Sequence, residues 1–218
     1  MKCLILGASG LVGKALTLEL LNHDYQSITL LKRGSSPLFD RPRINEVKVD
    51  YDDLVRYADE FDVDHVYCCL GTTIKKAKTK ENFEKVDYQY PLEAAKLFQK
   101  SAQKSTQSRC YTVITAIGAS TDSPFFYSQT KGRLEQSLKK LNLPRLVIIR
   151  PSVLLGAREE YRPLESFSQM ALKLMNPLFV SKLKKYRGHR DYEVAKTMIE
   201  LTLNRPLTTE DIEFEVFP

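Results

Sequence analysis

Residues 2–13 read Lys2-Cys-Leu-Ile-Leu-Gly-Ala-Ser-Gly-Leu-Val-Gly13, and the order of apolar residues and glycines in this stretch decides the fold. Cys3, Leu4, Ile5 and Leu6 form an apolar run that stops at Gly7, glycines return at Gly10 and Gly13, and Leu11 to Leu21 carries a helix-compatible apolar pattern. The spacing predicts strand, turn and helix in succession. Gly7 turns the chain sharply off the strand, Gly10 lets backbone approach a pyrophosphate, and Gly13 lets the helix sit close on the sheet. Ser9, Gly10, Leu11 and Val12 then place backbone N–H groups where the positive end of the helix dipole faces a phosphate. The spacing G-x-x-G-x-x-G differs by one residue from the standard fingerprint, and a purely structural turn is the plainer alternative. The preceding strand, the following helix and a second apolar run about 20 residues on favour a dinucleotide site.

That second run, Ser27 to Leu31, ends in Lys32-Arg33-Gly34. An acidic residue here would bind the ribose hydroxyls of NAD, whereas a guanidinium pairs with a 2′-phosphate, so Arg33 argues for NADP(H). The bland reading of Arg33 is a solvent-exposed charge closing a strand; Lys32 is placed to assist it. Ile44 to Val49 reads as a third strand, followed by Asp50, Asp52 and Asp53 at a helix start running toward Glu60. Aspartate there is a cap by preference, and Asp50, leaving a strand on the cofactor side, is also a candidate for the adenine edge.

His65 to Gly71 is the fourth strand, and its end, Leu70, Gly71 and Thr72, is placed to lie along the ribose and diphosphate. A helix is expected over 88–103, a fifth strand over 109–117, a turn-rich loop from Gly118 to Pro124, and then a helix bearing Tyr127 and Lys131 one turn apart. Leu146 to Ile149 is a sixth strand ending at Arg150-Pro151, which puts Pro151 at the same carboxyl edge. Strands alternating with helices predict an α/β, Rossmann-like doubly wound parallel sheet in one domain spanning residues 1–218. Beyond Pro151 the pattern loosens into helices over 162–176 and 192–203 and a late strand over 212–217, enough for a small substrate or lid region over the cofactor site.

Composition closes off other classes. The chain has 218 residues, 43% hydrophobic and 28% charged, with no low-complexity tract. Its four cysteines lie in or beside apolar strands, which suits buried thiols rather than a disulfide framework or a zinc site, and the histidines lack metal-like spacing, so no metal site is expected and His189 reads as a surface or capping residue. No apolar run approaches the length of a transmembrane helix or a signal peptide, so the sequence reads as cytosolic with no membrane association. The net charge of +6 gathers in Lys75, Lys76, Lys78 and Lys80, a loop-like stretch, and in Lys182, Lys184, Lys185, Arg187 and Arg190. Neither cluster is interleaved with aromatic platforms, so they read as solvated charge and no specific nucleic-acid partner is expected.

Gly7-Ala-Ser-Gly-Leu-Val-Gly13 and Tyr127-Ser-Gln-Thr-Lys131 together resemble the two signatures of the short-chain dehydrogenase/reductase superfamily. Tyr67-Cys-Cys-Leu-Gly-Thr-Thr73, Val86-Asp87-Tyr88, Lys131-Gly-Arg-Leu-Glu135 and Arg150-Pro-Ser-Val-Leu-Leu-Gly156 are similar to its atypical short branch, that of the Tat-interacting-protein oxidoreductases. The resemblance spans nearly the whole chain and implies a Rossmann fold, NADPH binding and poorly defined substrates. It assigns Tyr127 as the acid/base at the substrate oxygen and Lys131 as the cation that stabilises its phenolate and holds the nicotinamide ribose, a tyrosine's ordinary pKa being about 10. It also calls for a serine after the preceding strand; Thr115 matches best, with Ser120 from the loop as the substitute. Asp87 stands near the asparagine that steadies the backbone in many relatives.

The first functional expectation is therefore an NADPH-dependent carbonyl reductase acting on a small-molecule substrate. The second is an NADP(H)-binding sensor or partner-binding regulatory protein with little turnover, which implies a protein partner. Epimerase or dehydratase chemistry is weaker, because those relatives usually carry a longer C-terminal substrate region.

Overall fold

Cys3 and Ile5 point to one face of the first strand and Leu4 and Leu6 to the other, and all four are fully buried, the mark of a strand with a core on both sides. The computed structural model of the chain describes residues 1–34, 39–102, 109–152, 154–155, 188–207 and 212–217. Strands β1 (Lys2–Leu6), β2 (Ser27–Lys32), β3 (Ile44–Lys48), β4 (His65–Cys68), β5 (Cys110–Ile114) and β6 (Leu146–Arg150) run parallel in the order β3-β2-β1-β4-β5-β6. This is the strand order of a Rossmann fold, and the order reverses beside β1, where such sheets open a crevice.

On one face lie α1 (Leu11–Leu20) and the late helix Asp191–Thr202, packed on Cys3, Ile5, Ile28, Val147 and Ile149 through Leu16, Leu20, Met198 and Ile199. On the other lie a 3-10 segment (Tyr51–Phe61), α2 (Ile74–Ala77), α3 (Lys80–Glu84), a π turn (Lys85–Gln89), α4 (Tyr90–Ala102) and α5 (Phe126–Lys139), where Leu54, Phe98, Leu134 and Leu138 meet Leu4, Leu6, Val66 and Ile148. The short pair β7 (Leu154–Leu155) and β8 (His189–Arg190) leads into that late helix, α6.

The closing strand β9 (Glu213–Phe217) pairs antiparallel with β6, setting Arg150 opposite Glu213 and Ile148 opposite Glu215. Charge fixes this register: Arg150 reaches Glu213 Oε1 at 3.2 Å and Glu215 Oε1 at 2.7 Å.

Several local expectations change. The segment after Asp50 is not an α-helix, because Asp53 and Tyr57 leave helical dihedrals and break it into 3-10 turns. The basic stretch expected as a loop holds α2 and α3, each started by a threonine cap: Thr73 accepts from the amide of Lys76 and Thr79 from that of Asn82. The helix expected from Tyr88 begins in regular form at Tyr90, after the π turn. The helix expected over 162–176 and most of the second basic cluster lie outside the described residues.

Candidate functional site

Because the six strands are parallel, every segment singled out from the sequence leaves its strand at the same edge. Gly7 has φ +82°, which L side chains rarely adopt, and a Cβ there would stand 2.7 Å from the carbonyl group of Cys69. The glycine thus serves both the turn and the approach of the β4 end. A Cβ at Gly13 would overlap the Gly7 carbonyl and lie 2.8 Å from Ala8 Cα, so this glycine sets α1 against the turn. Gly10 differs: its Cβ would meet the Gly7 carbonyl at 3.3 Å and otherwise enter open space. Gly10 begins α1 with no side-chain hydrogen bond capping the first turn. A Cβ-free concavity at an uncapped helix start fits a pyrophosphate, with Ser9 and Gly10 exposed, Leu11 half-buried and Val12 anchoring the helix in the core.

Arg33 follows β2 at this edge and is exposed. Lys32 is not its helper: its side chain is buried and its Nζ lies 2.5 Å from Glu46 Oε2 on β3. Asp50 is exposed and accepts from the amide of Asp52 at 3.0 Å, so it caps the 3-10 segment while standing at the cofactor edge. Beyond the β4 end, the Thr72 amide donates to Asp87 Oδ2 at 2.8 Å.

Asp87, which stands near the backbone-steadying asparagine of many relatives, takes on a second part as an ion-pair partner. Its Oδ1 lies 2.8 Å from Lys131 Nζ, with side-chain exposures of 1% and 3%, so the pair is wholly desolvated. Burial alone pulls the Lys131 pKa down; Asp87 and then Tyr127 push it up, and the net shift is upward, so the ammonium stays charged. A methyl group at Gly71 would stand 3.5 Å from Asp87 Oδ1 and 3.8 Å from Lys131 Nζ, which sets the β4 end directly against the ion pair. Asp87 sits in the π turn, whose extra residue per turn re-aims a side chain relative to the flanking helices.

Tyr127 lies on the first turn of α5, 38% exposed, with its ring 5.7 Å from the buried ring of Phe83 on α3. One turn on, Lys131 faces the same way and contributes to the same electrostatic environment. Gly132 is a residue that sequence reading missed: a Cβ there would lie 2.6 Å from Ser120 Cα, so its absence lets the loop after β5 lie flat on α5.

The two hydroxyl candidates separate. Thr115 is buried, and its hydroxyl donates to Glu135 Oε1 at 2.6 Å, turned into the protein rather than toward the cofactor edge. Glu135 in turn receives Arg150 through both oxygens, at 2.9 and 2.6 Å. Ser120 is exposed on the loop, accepting from the amide of Asp122 at 3.2 Å. Pro151 is buried, and its carbonyl accepts from the Ile117 amide at 3.1 Å, joining the β6 end to that loop. His189, read as a surface or capping residue, is buried rather than on the surface, with Nδ1 3.2 Å from Ser152 Oγ. Among the described residues no cluster of three or more His, Cys, Asp or Glu could hold a metal ion, and no helix is long and apolar enough to cross a membrane.

With this geometry in place, the comparisons with known proteins fall into line. The family model described as HIM1 matches residues 36–187. The chain is 35% identical over 223 residues to protein FMP52, mitochondrial, of Meyerozyma guilliermondii, covering 96% of this chain and 89% of that one. It is 36% identical over 163 residues to protein HTATIP2 of Rattus norvegicus, covering 73% and 65%. Among solved structures, a short chain dehydrogenase from Burkholderia cenocepacia in complex with NADP superposes with a TM-score of 0.66 at 14% identity, over 94% of this chain and 87% of that one. WbmG of Bordetella bronchiseptica in complex with NAD gives 0.62 at 17% identity, over 96% and 81%.

The expectation of a cytosolic protein is overturned: relatives from Meyerozyma guilliermondii, Scheffersomyces stipitis, Candida albicans, Debaryomyces hansenii and Emericella nidulans are named mitochondrial. Buried thiols and the lack of a long apolar run do not separate the cytosol from a mitochondrial compartment. The folds, the two signatures and the extent of these matches agree, and the chain belongs to the HIM1 family, in the Tat-interacting-protein branch of the atypical short-chain dehydrogenases/reductases.

Proposed function

We propose that this protein is an NADPH-dependent reductase of carbonyl compounds, with Tyr127 as its proton donor. The observation that carries the reading is the buried Lys131 one helical turn from the half-exposed Tyr127, held against the β4 end at the edge where the glycine turn opens. The two solved structures bound to NADP and NAD lend support to a nicotinamide dinucleotide, and Arg33 favours the phosphorylated form. Gly10 and the first turn of α1 would hold the pyrophosphate, Arg33 the 2′-phosphate, Lys131 the nicotinamide ribose, and Leu70, Gly71, Thr72 and Pro151 the rest of the cradle. The bound cofactor supplies the hydride.

This chain's residues supply the proton and the orientation. Tyr127 protonates the substrate oxygen, and Ser120, rather than Thr115 with its hydroxyl bound to Glu135, is the hydroxyl placed to polarise it. The mitochondrial names of the relatives support a mitochondrial setting for this activity. The test is a screen of aldehydes, ketones and quinones that follows NADPH consumption. Turnover that needs NADPH supports the reading, and a blank screen removes it.

The engagement of Thr115 by Glu135 favours a second reading, in which the site binds NADP(H) and signals its presence to a protein partner with little turnover. Calorimetric NADPH binding with no activity in the screen would select it.

A further inference from the structure

We propose that Lys85 is a specificity-determining residue for the phosphorylated dinucleotide, cancelling the charge of Asp52 beside Arg33, where a bare carboxylate would repel the 2′-phosphate. The inference rests on the reading of the Arg33 edge as the adenosine end of an NADP(H) site. That edge is acidic in sequence: Glu46 lies on β3, Asp50, Asp52 and Asp53 follow it, and β3 pairs with β2, whose end carries Arg33. Carboxylates in such a place accept the ribose hydroxyls of NAD and disfavour a phosphate.

Hydrogen bonds and ring contacts bring Asp52 to the Arg33 edge. The Val49 amide donates to the Lys32 carbonyl at 2.8 Å, so Arg33 and Asp50 leave neighbouring strand ends. Tyr51 folds back against β2, its hydroxyl donating to the Leu31 carbonyl at 2.8 Å, and its ring lies 5.4 Å from that of Tyr90. Tyr90 in turn donates to Asp52 Oδ1 at 2.9 Å. Burial raises the pKa of both Tyr51 and Tyr90, and Arg33 is close enough to work against it in both, which sets its guanidinium in the same electrostatic neighbourhood as Asp52.

The fold gives these carboxylates cations of their own. Glu46 has Lys32 at 2.5 Å and Asp53 has Arg56, while Asp50 accepts the Asp52 amide at 3.0 Å. Asp52 has Lys85 at 2.8 Å, on the oxygen that Tyr90 already holds. The hydrogen bonds from Lys85 and then Tyr90 keep the Asp52 carboxyl below the usual carboxylate range, so it is ionised and its charge has to be met. Lys32 and Arg56 belong to β2 and to the 3-10 segment itself; Lys85 arrives from the π turn, 33 positions beyond Asp52. A pair with side-chain exposures of 43% and 57% adds little to stability, so its effect on a neighbouring phosphate is separable from folding.

The test is calorimetric binding of NADPH, NADH and adenosine 2′,5′-bisphosphate to the whole chain at low ionic strength, with circular dichroism to show that each variant folds. Lys85→Met removes the charge and keeps the length of the side chain; it weakens NADPH and the bisphosphate roughly three- to tenfold and leaves NADH within about twofold. Lys85→Arg keeps the parent's preference. Asp52→Asn combined with Lys85→Met restores it, because the neutral pair presents no charge to the phosphate, and added salt narrows the gap between Lys85→Met and the parent. NADPH binding unchanged in Lys85→Met, a loss shared equally by NADH, or a double variant as weak as Lys85→Met overturns the proposal. A parent that binds NADPH and NADH alike ends the NADP(H) reading of the edge and this inference with it. A parent whose preference for NADPH depends on Arg33 but not on Lys85 leaves that reading standing and ends this inference alone.

Discussion

Thr115 donates its hydroxyl proton to Glu135 at 2.6 Å, across from the strand end at which it was expected to face substrate. Glu135 also receives both arms of Arg150, whose remaining nitrogen reaches Glu213 and Glu215 on β9, so one buried guanidinium ties α5, β5, β6 and the closing strand together. The hydrogen bonds that Arg150 donates to Glu135 hold its pKa above the ordinary value, which keeps the cation in place. Thr115→Val removes one buried hydrogen bond and should cost about 1 kcal/mol of stability while leaving NADPH turnover within about twofold of the parent. Urea denaturation and a steady-state assay check the two halves. A loss of turnover a hundredfold or more would return Thr115 to the active site.

Breaking the same network at its centre is more damaging. Glu135→Ala removes two charge-assisted hydrogen bonds from Arg150 but leaves it Glu213 and Glu215, and should destabilise the chain by about 1.5 to 3 kcal/mol, whereas replacing both members by apolar residues should recover part of that loss. Thermal unfolding of the single and double variants measures it. Equal losses in both would show that packing, not the weakened pairing of Arg150, dominates.

Cofactor choice should follow Arg33. Arg33→Ala should weaken NADPH binding by roughly 1.5 to 3 kcal/mol, the range for a charge-assisted contact, and leave NADH binding nearly unchanged. Calorimetry with both dinucleotides checks it; equal weakening of the two would remove Arg33 from the 2′-phosphate.

The glycines of the turn divide by what surrounds them. Gly10→Val should fold and fail to bind dinucleotide, because its side chain projects into open space at the helix start; Gly13→Val should not fold, because its Cβ would overlap the Gly7 carbonyl. Circular dichroism and NADPH titration separate the cases. A folded Gly10→Val with full affinity would move the phosphate site elsewhere.

His65 gives the fold a pH dependence. Burial, with smaller effects from its charged neighbours, lowers its pKa to about 4 from 6.5, and its Nδ1 lies 2.6 Å from Tyr25 Oη. The folded state therefore binds a proton less readily than the unfolded chain. Stability is fully present above pH 6.5 and is lost as pH falls toward 4, by roughly 3 kcal/mol from this group. The urea midpoint should drop across that window in the parent and drop less in His65→Gln. A parallel fall in both would place the acid sensitivity in other groups.

The architecture was legible because apolar runs, glycines and their spacing are local signals. Leu4 and Leu6 against Cys3 and Ile5 announce a strand buried on both faces, and the turn after them follows from Gly7. The pairing of site residues was not legible, because it depends on which charges meet across the sequence. Asp87 and Lys131 stand 44 positions apart and meet because a π turn re-aims the carboxylate. Glu135, beside Leu134 and Leu138 on the buried face of α5, is a charged residue that requires a partner, and only the fold brings Arg150 to it. The caps of α2 and α3, Thr73 and Thr79, lie among lysines whose charge pattern is equally compatible with a loop.

Proton donation by Tyr127 in an NADPH-dependent reductase is tested most directly by Tyr127→Phe on whichever carbonyl substrate the screen yields. The ring and its contact with Phe83 are retained, so NADPH affinity should stay within about twofold while turnover falls by roughly 10² to 10⁴-fold. Turnover that survives in Tyr127→Phe with NADPH bound would contradict the account.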